Sequence, residues 1–290
     1  MIKTILVPGT GNETDPATFA AALATARLFA AHIDALHVRL DPVEAVVAMT
    51  TEGAGGIALM QGLIDDLERE AGEREAQARL LFNEFCTREA LSVAEAPAQA
   101  NGKPSAQWHV EIGQEPRWMA AYGTTADLIV CSRGVRGADA AARGTLEALL
   151  IETGRPLLIP STAAPKATMA DRIAIAWKPT PQAARAVAFA MPFLARTREI
   201  VVLTVEEEEG RRDEAARLVQ GLAWHGLNAV ARNIKPDAGG AAETLLAVAA
   251  DQAGLLVMGG YGHSRLREWV FGGFTQQVLV DAAVPVLMAH

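Results

Sequence analysis

Apolar positions along this chain follow two spacings. Short runs of branched residues bounded by glycine, proline or charge read as buried strands, and longer stretches with an apolar residue every three or four positions read as helices. The pattern predicts a strand over 3–7 and then a helix begun by Asp15-Pro16, with Asp15 as N-cap and the proline at the first helical position. Phe19, Leu23, Ala26 and Ala30 give that helix its apolar face. A second strand follows over 33–38. Residues 41–56, with Pro42 and the run from Thr50 to Gly56, read as a mobile loop. One long or kinked packing helix is predicted over 57–90, with Met60, Ile64, Leu67, Ala71, Ala78, Leu81 and Phe85 on one side. A polar linker over 94–105 leads to a strand (108–112), a helix (115–123), a strand (127–131), a helix within 145–152 and a proline-led strand (156–159).

After a linker over 161–170 the pattern restarts. Strands are predicted at 172–177, 200–205, 229–234, 255–258 and 284–288, and helices at 180–194, 213–225, 241–251 and 275–282. Thr180-Pro181 repeats the cap-plus-proline helix start, and Val284-Pro285-Val286-Leu287-Met288 repeats Arg155-Pro156-Leu157-Leu158-Ile159. The chain reads as an internal duplication. Strands alternating with helices build parallel sheets with helices on both faces, because parallel strands need crossovers. Ligands of such sheets settle outside the carboxyl ends of the strands, at the switch point.

Composition narrows the picture. With 290 residues, half of them hydrophobic, the chain has ample core for two domains, and no apolar run reaches the roughly 18 residues of a membrane helix. A net charge of −8 and a pI near 5.3 leave no basic field for nucleic acid or anionic membranes, and a cytoplasmic location is expected. Cys86 and Cys131, the only cysteines, read as packed thiols. The acidic run Glu206 to Glu209 reads as a solvated loop. No Ser-His-Asp set, Gly-x-Ser-x-Gly elbow or Walker lysine is apparent.

The most informative stretch is 255–275. A strand ends in Gly259-Gly260-Tyr261-Gly262, nine residues intervene, and Gly272-Gly273 opens a helix. Glycines at both places let backbone N–H groups approach a phosphate. This arrangement resembles the C-terminal signature of universal stress proteins, and the duplicated layout is similar to their tandem form. The resemblance implies two Rossmann-like, adenine nucleotide alpha hydrolase-like α/β domains, over 1–163 and 171–290. Each would be a five-stranded parallel sheet of order 3-2-1-4-5, with the last strands of the two domains pairing. The first would carry an extra loop and long helix at about 42–90. It also implies a stress-response module that binds ATP or a related adenine nucleotide, with Gly259, Gly262, Gly272, Gly273, Thr275, Lys178 and Val205 as the corresponding site of the second domain.

Departures from the family pattern keep alternatives open. Lys178 stands at the position of an aspartate after the first strand, where it would either meet phosphate or fill the base region with its stem. Gly273 stands where Ser or Thr is expected, with Thr275 two residues on. In the first half, Thr10 takes the aspartate position, Cys131 or Ser132 replaces the first motif glycine, and Gly134, Gly144 and Thr145 remain of the cradle. The alternatives are a stress-response scaffold that binds no nucleotide and, further off, a slow ATPase. His263, Arg265 and Arg267 could meet phosphate or be solvated, Trp177, Trp269 and Tyr261 could pack on a base or on the core, and His37 reads as structural. An intramolecular pseudo-dimer is expected, with a homodimer also compatible.

Overall fold

Eleven strands and ten helices alternate along the described residues of the computed structural model, which are 1–49, 57–133, 140–161, 171–205, 213–260 and 273–290. Contacts divide the chain into an N-terminal unit ending at Thr153 and a C-terminal unit from Gly154 to His290.

The N-terminal unit contains β1 (Thr4–Pro8), α1 (Asp15–Phe29), β2 (His32–Arg39), α2 (Pro42–Met49), α3 (Ile57–Arg88), β3 (Ser92–Val93), α4 (Pro97–Ala100), β4 (Ser105–Ile112), α5 (Glu115–Gly123), β5 (Leu128–Val130) and α6 (Ala140–Glu152). Its sheet runs β3-β4-β2-β1-β5, all parallel, so β1 lies between β2 and β5 with crossovers leaving in opposite directions. Phe19 of α1 packs on Phe82 and Phe85 of α3, at ring centroid distances of 6.1 and 5.3 Å. By the strand register Ile5 and Ile33 share the sheet face of Ala35 and Trp108, on which Phe82 packs, while Leu6 and Leu36 are buried on the opposite face.

The C-terminal unit contains β6 (Leu157–Ile159), β7 (Arg172–Ala176), α7 (Pro181–Leu194), β8 (Glu199–Val205), α8 (Asp213–Trp224), β9 (Ala229–Ile234), α9 (Gly240–Gln252), β10 (Leu255–Gly259), α10 (Gly273–Asp281) and β11 (Val286–Ala289). Strands β9-β8-β7-β10-β11 run parallel in the expected 3-2-1-4-5 order. On the outer side of β11, β6 pairs antiparallel, Leu158 opposite Leu287, which is the pairing of proline-led strands that the resemblance implied.

Two local expectations need correction. Residues 42–49 are helical and not loop: the Asp41 carboxylate accepts from the amides of Val43 and Glu44, and Pro42 supplies a fixed φ to the first turn. Thr50 to Gly56 lie outside the described residues. Asp15 is the first helical residue and not the cap. Thr14 holds the cap position without a side-chain bond to the helix amides, and the Asp15 carboxylate turns back onto the preceding loop.

Candidate nucleotide crevices

Each unit has one switch point, between β1 and β5 and between β7 and β10, where a crevice of this fold lies at the carboxyl ends of the strands. The two loops that enter these crevices begin identically. The Gly9 amide donates to the Leu36 carbonyl at 2.8 Å, and the Trp177 amide donates to the Leu203 carbonyl at 2.8 Å. This equivalence and the strand register align the units residue by residue: Ala35 with Val202, His37 with Thr204, and Trp108 with Ala231.

In the C-terminal unit the register Met258–Ala176–Leu203 places Gly259, Trp177 and Thr204 one residue beyond the last shared level, with Lys178 and Val205 one further. The structure thus gathers Lys178, Val205 and Gly259 at one sheet edge. Thr180 caps α7 as predicted, its hydroxyl accepting from the Ala183 amide at 3.2 Å. Lys178 is exposed, and Val205 is half-buried. Trp177 is fixed by its indole N–H, which donates to the Glu214 carbonyl at the start of α8 at 3.2 Å. A Cβ on Gly259 would stand 2.5 Å from the Ala183 amide nitrogen, so glycine is required there for the start of α7 to cross the end of β10. Gly273 opens α10, and Thr275, at 8% exposure, is turned inward. Tyr261, Gly262, His263, Arg265, Arg267, Trp269 and Gly272 lie outside the described residues, as do Glu206 to Glu209.

One polar group of this crevice escaped sequence reading. The Thr204 hydroxyl is buried with no hydrogen-bond partner among the described residues, and the equivalent His37 of the N-terminal unit buries Nε2 in the same condition. A lone threonine in a strand carries no motif, so only the register could reveal it. Ala231, facing the position that Trp108 fills in the other unit, is small and exposed.

The N-terminal crevice is built differently. The Asp15 carboxylate is buried at 1% exposure and accepts from the Thr10 amide (2.9 Å), the Thr10 hydroxyl (2.6 Å) and the Gly11 amide (2.8 Å). Burial raises its pKa above the ordinary 3.8, opposed by those three bonds and the nearby His37. His37 is structural, as expected: its Nδ1 meets the Gly9 carbonyl at 2.7 Å, so the proton on that nitrogen donates. Ser132 donates to the Thr14 hydroxyl at 3.3 Å. The Cys131 and Cys86 thiols are buried, and burial pushes both pKa values up, that of Cys86 to about 11, which leaves neither reactive. Of the remnant cradle, Gly144 lies inside α6 and Thr145 is buried, while Gly134 lies outside the described residues.

On the other face of β2 and β4 a polar group gathers that has no sequence motif. Asp34 Oδ1 sits 2.9 Å from His109 Nε2 and 3.4 Å from His32 Nε2, and Tyr122 donates to Glu111 at 2.7 Å. Hydrogen bonds from His109 and His32 hold the Asp34 carboxyl well below the usual carboxylate range against its desolvation, and the bond to Glu111 pushes the Tyr122 phenol up to about 12. Among the described residues no cluster of His, Cys, Asp or Glu is placed to hold a metal ion.

Residues 205–290, which span the β8 end, β10, the glycine stretch and β11, match the universal stress protein family. The C-terminal unit carries a universal stress protein domain. In fold the likeness extends further: a universal stress protein from Archaeoglobus fulgidus aligns over 99% of this chain and 95% of its own, with a TM-score of 0.66 at 16% identity. A protein from Pseudomonas aeruginosa assigned to the same family aligns over 99% of this chain and 93% of its own, with a TM-score of 0.57 at 16% identity. A universal stress protein solved in complex with cAMP aligns over 56% of this chain at a TM-score of 0.31 and 14% identity, a likeness too slight to transfer a ligand. No curated protein matches the chain in sequence. No helix among the described residues is long and apolar enough to cross a membrane.

Proposed function

We propose that the chain is a cytoplasmic tandem universal stress protein whose C-terminal unit binds ATP or a related adenine nucleotide and signals by binding, without fast chemistry. The observation that carries this reading is the switch-point crevice between β7 and β10, where the family-matching glycine stretch leaves β10 level with Trp177 and Lys178. The residues present fit such a ligand in three respects. The buried Thr204 hydroxyl has no partner among the described residues, the exposed Lys178 supplies a cation at the strand ends, and Trp177 would present an aromatic wall. Gly272-Gly273 at the start of α10 would leave backbone N–H groups open to phosphate oxygens.

A second reading has its own support. Gly259 is fully accounted for by the close passage of α7, so a glycine at that position is needed in a scaffold that binds nothing. Isothermal titration of nucleotide-free protein with ATP, ADP and AMP separates the two. The nucleotide reading expects saturable heat that disappears in the Gly272→Val, Gly273→Val protein, while absence of heat at millimolar nucleotide, with the fold intact by circular dichroism, leaves the scaffold.

A further inference from the structure

We propose that the crevice of the N-terminal unit is permanently closed by the protein's own residues, with Asp15 in the place of a ligand anion and Trp108 in the place of a ligand ring. The backbone amides that turn inward after β1, those of Thr10 and Gly11, both donate to the Asp15 carboxylate. An incoming phosphate or carboxylate would find those donors taken and a buried negative charge beside them, which repels it strongly in a medium less polarisable than water. The volume above Gly9 is also taken. A Cβ on Gly9 would stand 2.7 and 2.8 Å from Trp108 Cζ3 and Cη2, so the indole rests on bare backbone.

That indole is held on its other sides. His37 stacks on it at 6.0 Å with an interplanar angle of 12°, Phe82 of α3 lies at 5.2 Å, and the Arg79 guanidinium of α3 stands 5.5 Å over the ring. The backbone of α3 completes the closure: Gly11, at φ +79°, has the Arg74 carbonyl 2.8 Å from where a Cβ would be. The long helix that sets this half apart from the other is therefore a cover fastened over a filled site. Gly9 is required by this packing and not by its backbone, since its φ lies outside the left-handed region and an alanine would be compatible with it but for the indole. None of this depends on what the C-terminal unit binds.

A double-mutant cycle read by urea denaturation tests the closure. Gly9→Ala lowers the urea midpoint when Trp108 is present, because the new methyl displaces the indole. In a Trp108→Ala background the same substitution leaves the midpoint unchanged or raises it. An equal lowering in both backgrounds overturns the proposal, since glycine would then be needed for some reason other than the indole. Should Trp108→Ala fail to fold, Trp108→Leu provides the background with the same two outcomes.

Discussion

The loops after β1 and β7 start from the same backbone hydrogen bond and lead to helices that both carry a proline in the first turn, yet they prepare opposite sites. In the N-terminal unit the strand-end residue is Gly9, the third strand supplies Trp108, and the loop amides are satisfied by Asp15. In the C-terminal unit the strand-end residue is Trp177, the third strand supplies the exposed Ala231, and the loop carries the exposed Lys178. The large side chain has changed strands. One crevice is filled from within, and at the strand ends of the other stand the half-buried Trp177, the exposed Lys178 and a buried Thr204 hydroxyl with no hydrogen-bond partner among the described residues. A duplicated fold can thus retain its architecture in both copies while one copy spends its crevice on stability.

The largest effect expected from breaking this contrast is at its tryptophan. Trp108→Ala should destabilise the protein by about 3 kcal/mol, at the lower end for removing a packed aromatic because the ring is only partly buried. Ala231→Trp at the equivalent position should change stability by less than about 0.5 kcal/mol, as for an exposed site, and weaken nucleotide binding by tenfold or more. Urea denaturation and titration of the two proteins check this pair.

Next in size are the motif glycines. Gly259→Ala forces a methyl to within 2.5 Å of the α7 backbone and should cost roughly 1–3 kcal/mol, as overpacking does. Gly144→Ala meets open space inside α6 and should stabilise by up to about 1 kcal/mol, through helix propensity alone. If both substitutions proved neutral by thermal denaturation, the steric account of Gly259 would fail.

How much of this was legible in the sequence can be read from particular residues. The alternation of strands and helices, the duplication and the carboxyl-end location of the crevices follow from periodicity, since burial on one face leaves a repeat in the chain. Asp41-Pro42 carries the same helix-start signal as Thr180-Pro181, but the glycine-rich run at 53–56 that follows marks the stretch as loop, so the helix at Pro42 is hidden in the sequence. The usual capping rule points to Asp15 as the cap. Gly11, in the left-handed region, turns the loop amides toward its carboxylate, and backbone conformation of that kind leaves only a glycine in the sequence. Trp108 and Thr204 were silent because their roles depend on which strands lie side by side and in what register.

The smallest effects concern pH, where two carboxylates of the N-terminal unit should act with opposite sign. Asp34 has a folded pKa held below its ordinary 3.8, so its contribution is fully present above that value and is lost as pH falls below it. Asp15 has a folded pKa raised by burial, so its contribution is fully present below 3.8 and is lost as pH rises through the folded value. On acidification the stability difference between wild type and Asp34→Asn should therefore shrink, and that between wild type and Asp15→Asn should grow. Differences that moved together in urea series at pH 7 and pH 3.5 would contradict the environments assigned to these groups.

If only the C-terminal crevice is open, the number of nucleotides bound per chain shows it. Equilibrium dialysis of nucleotide-free protein against saturating ATP should give about one nucleotide per chain, as expected from a single open switch point. That nucleotide should be lost in the Gly272→Val, Gly273→Val protein and retained in Gly144→Val. Two nucleotides per chain, or retention after the C-terminal glycines are replaced, would contradict the account.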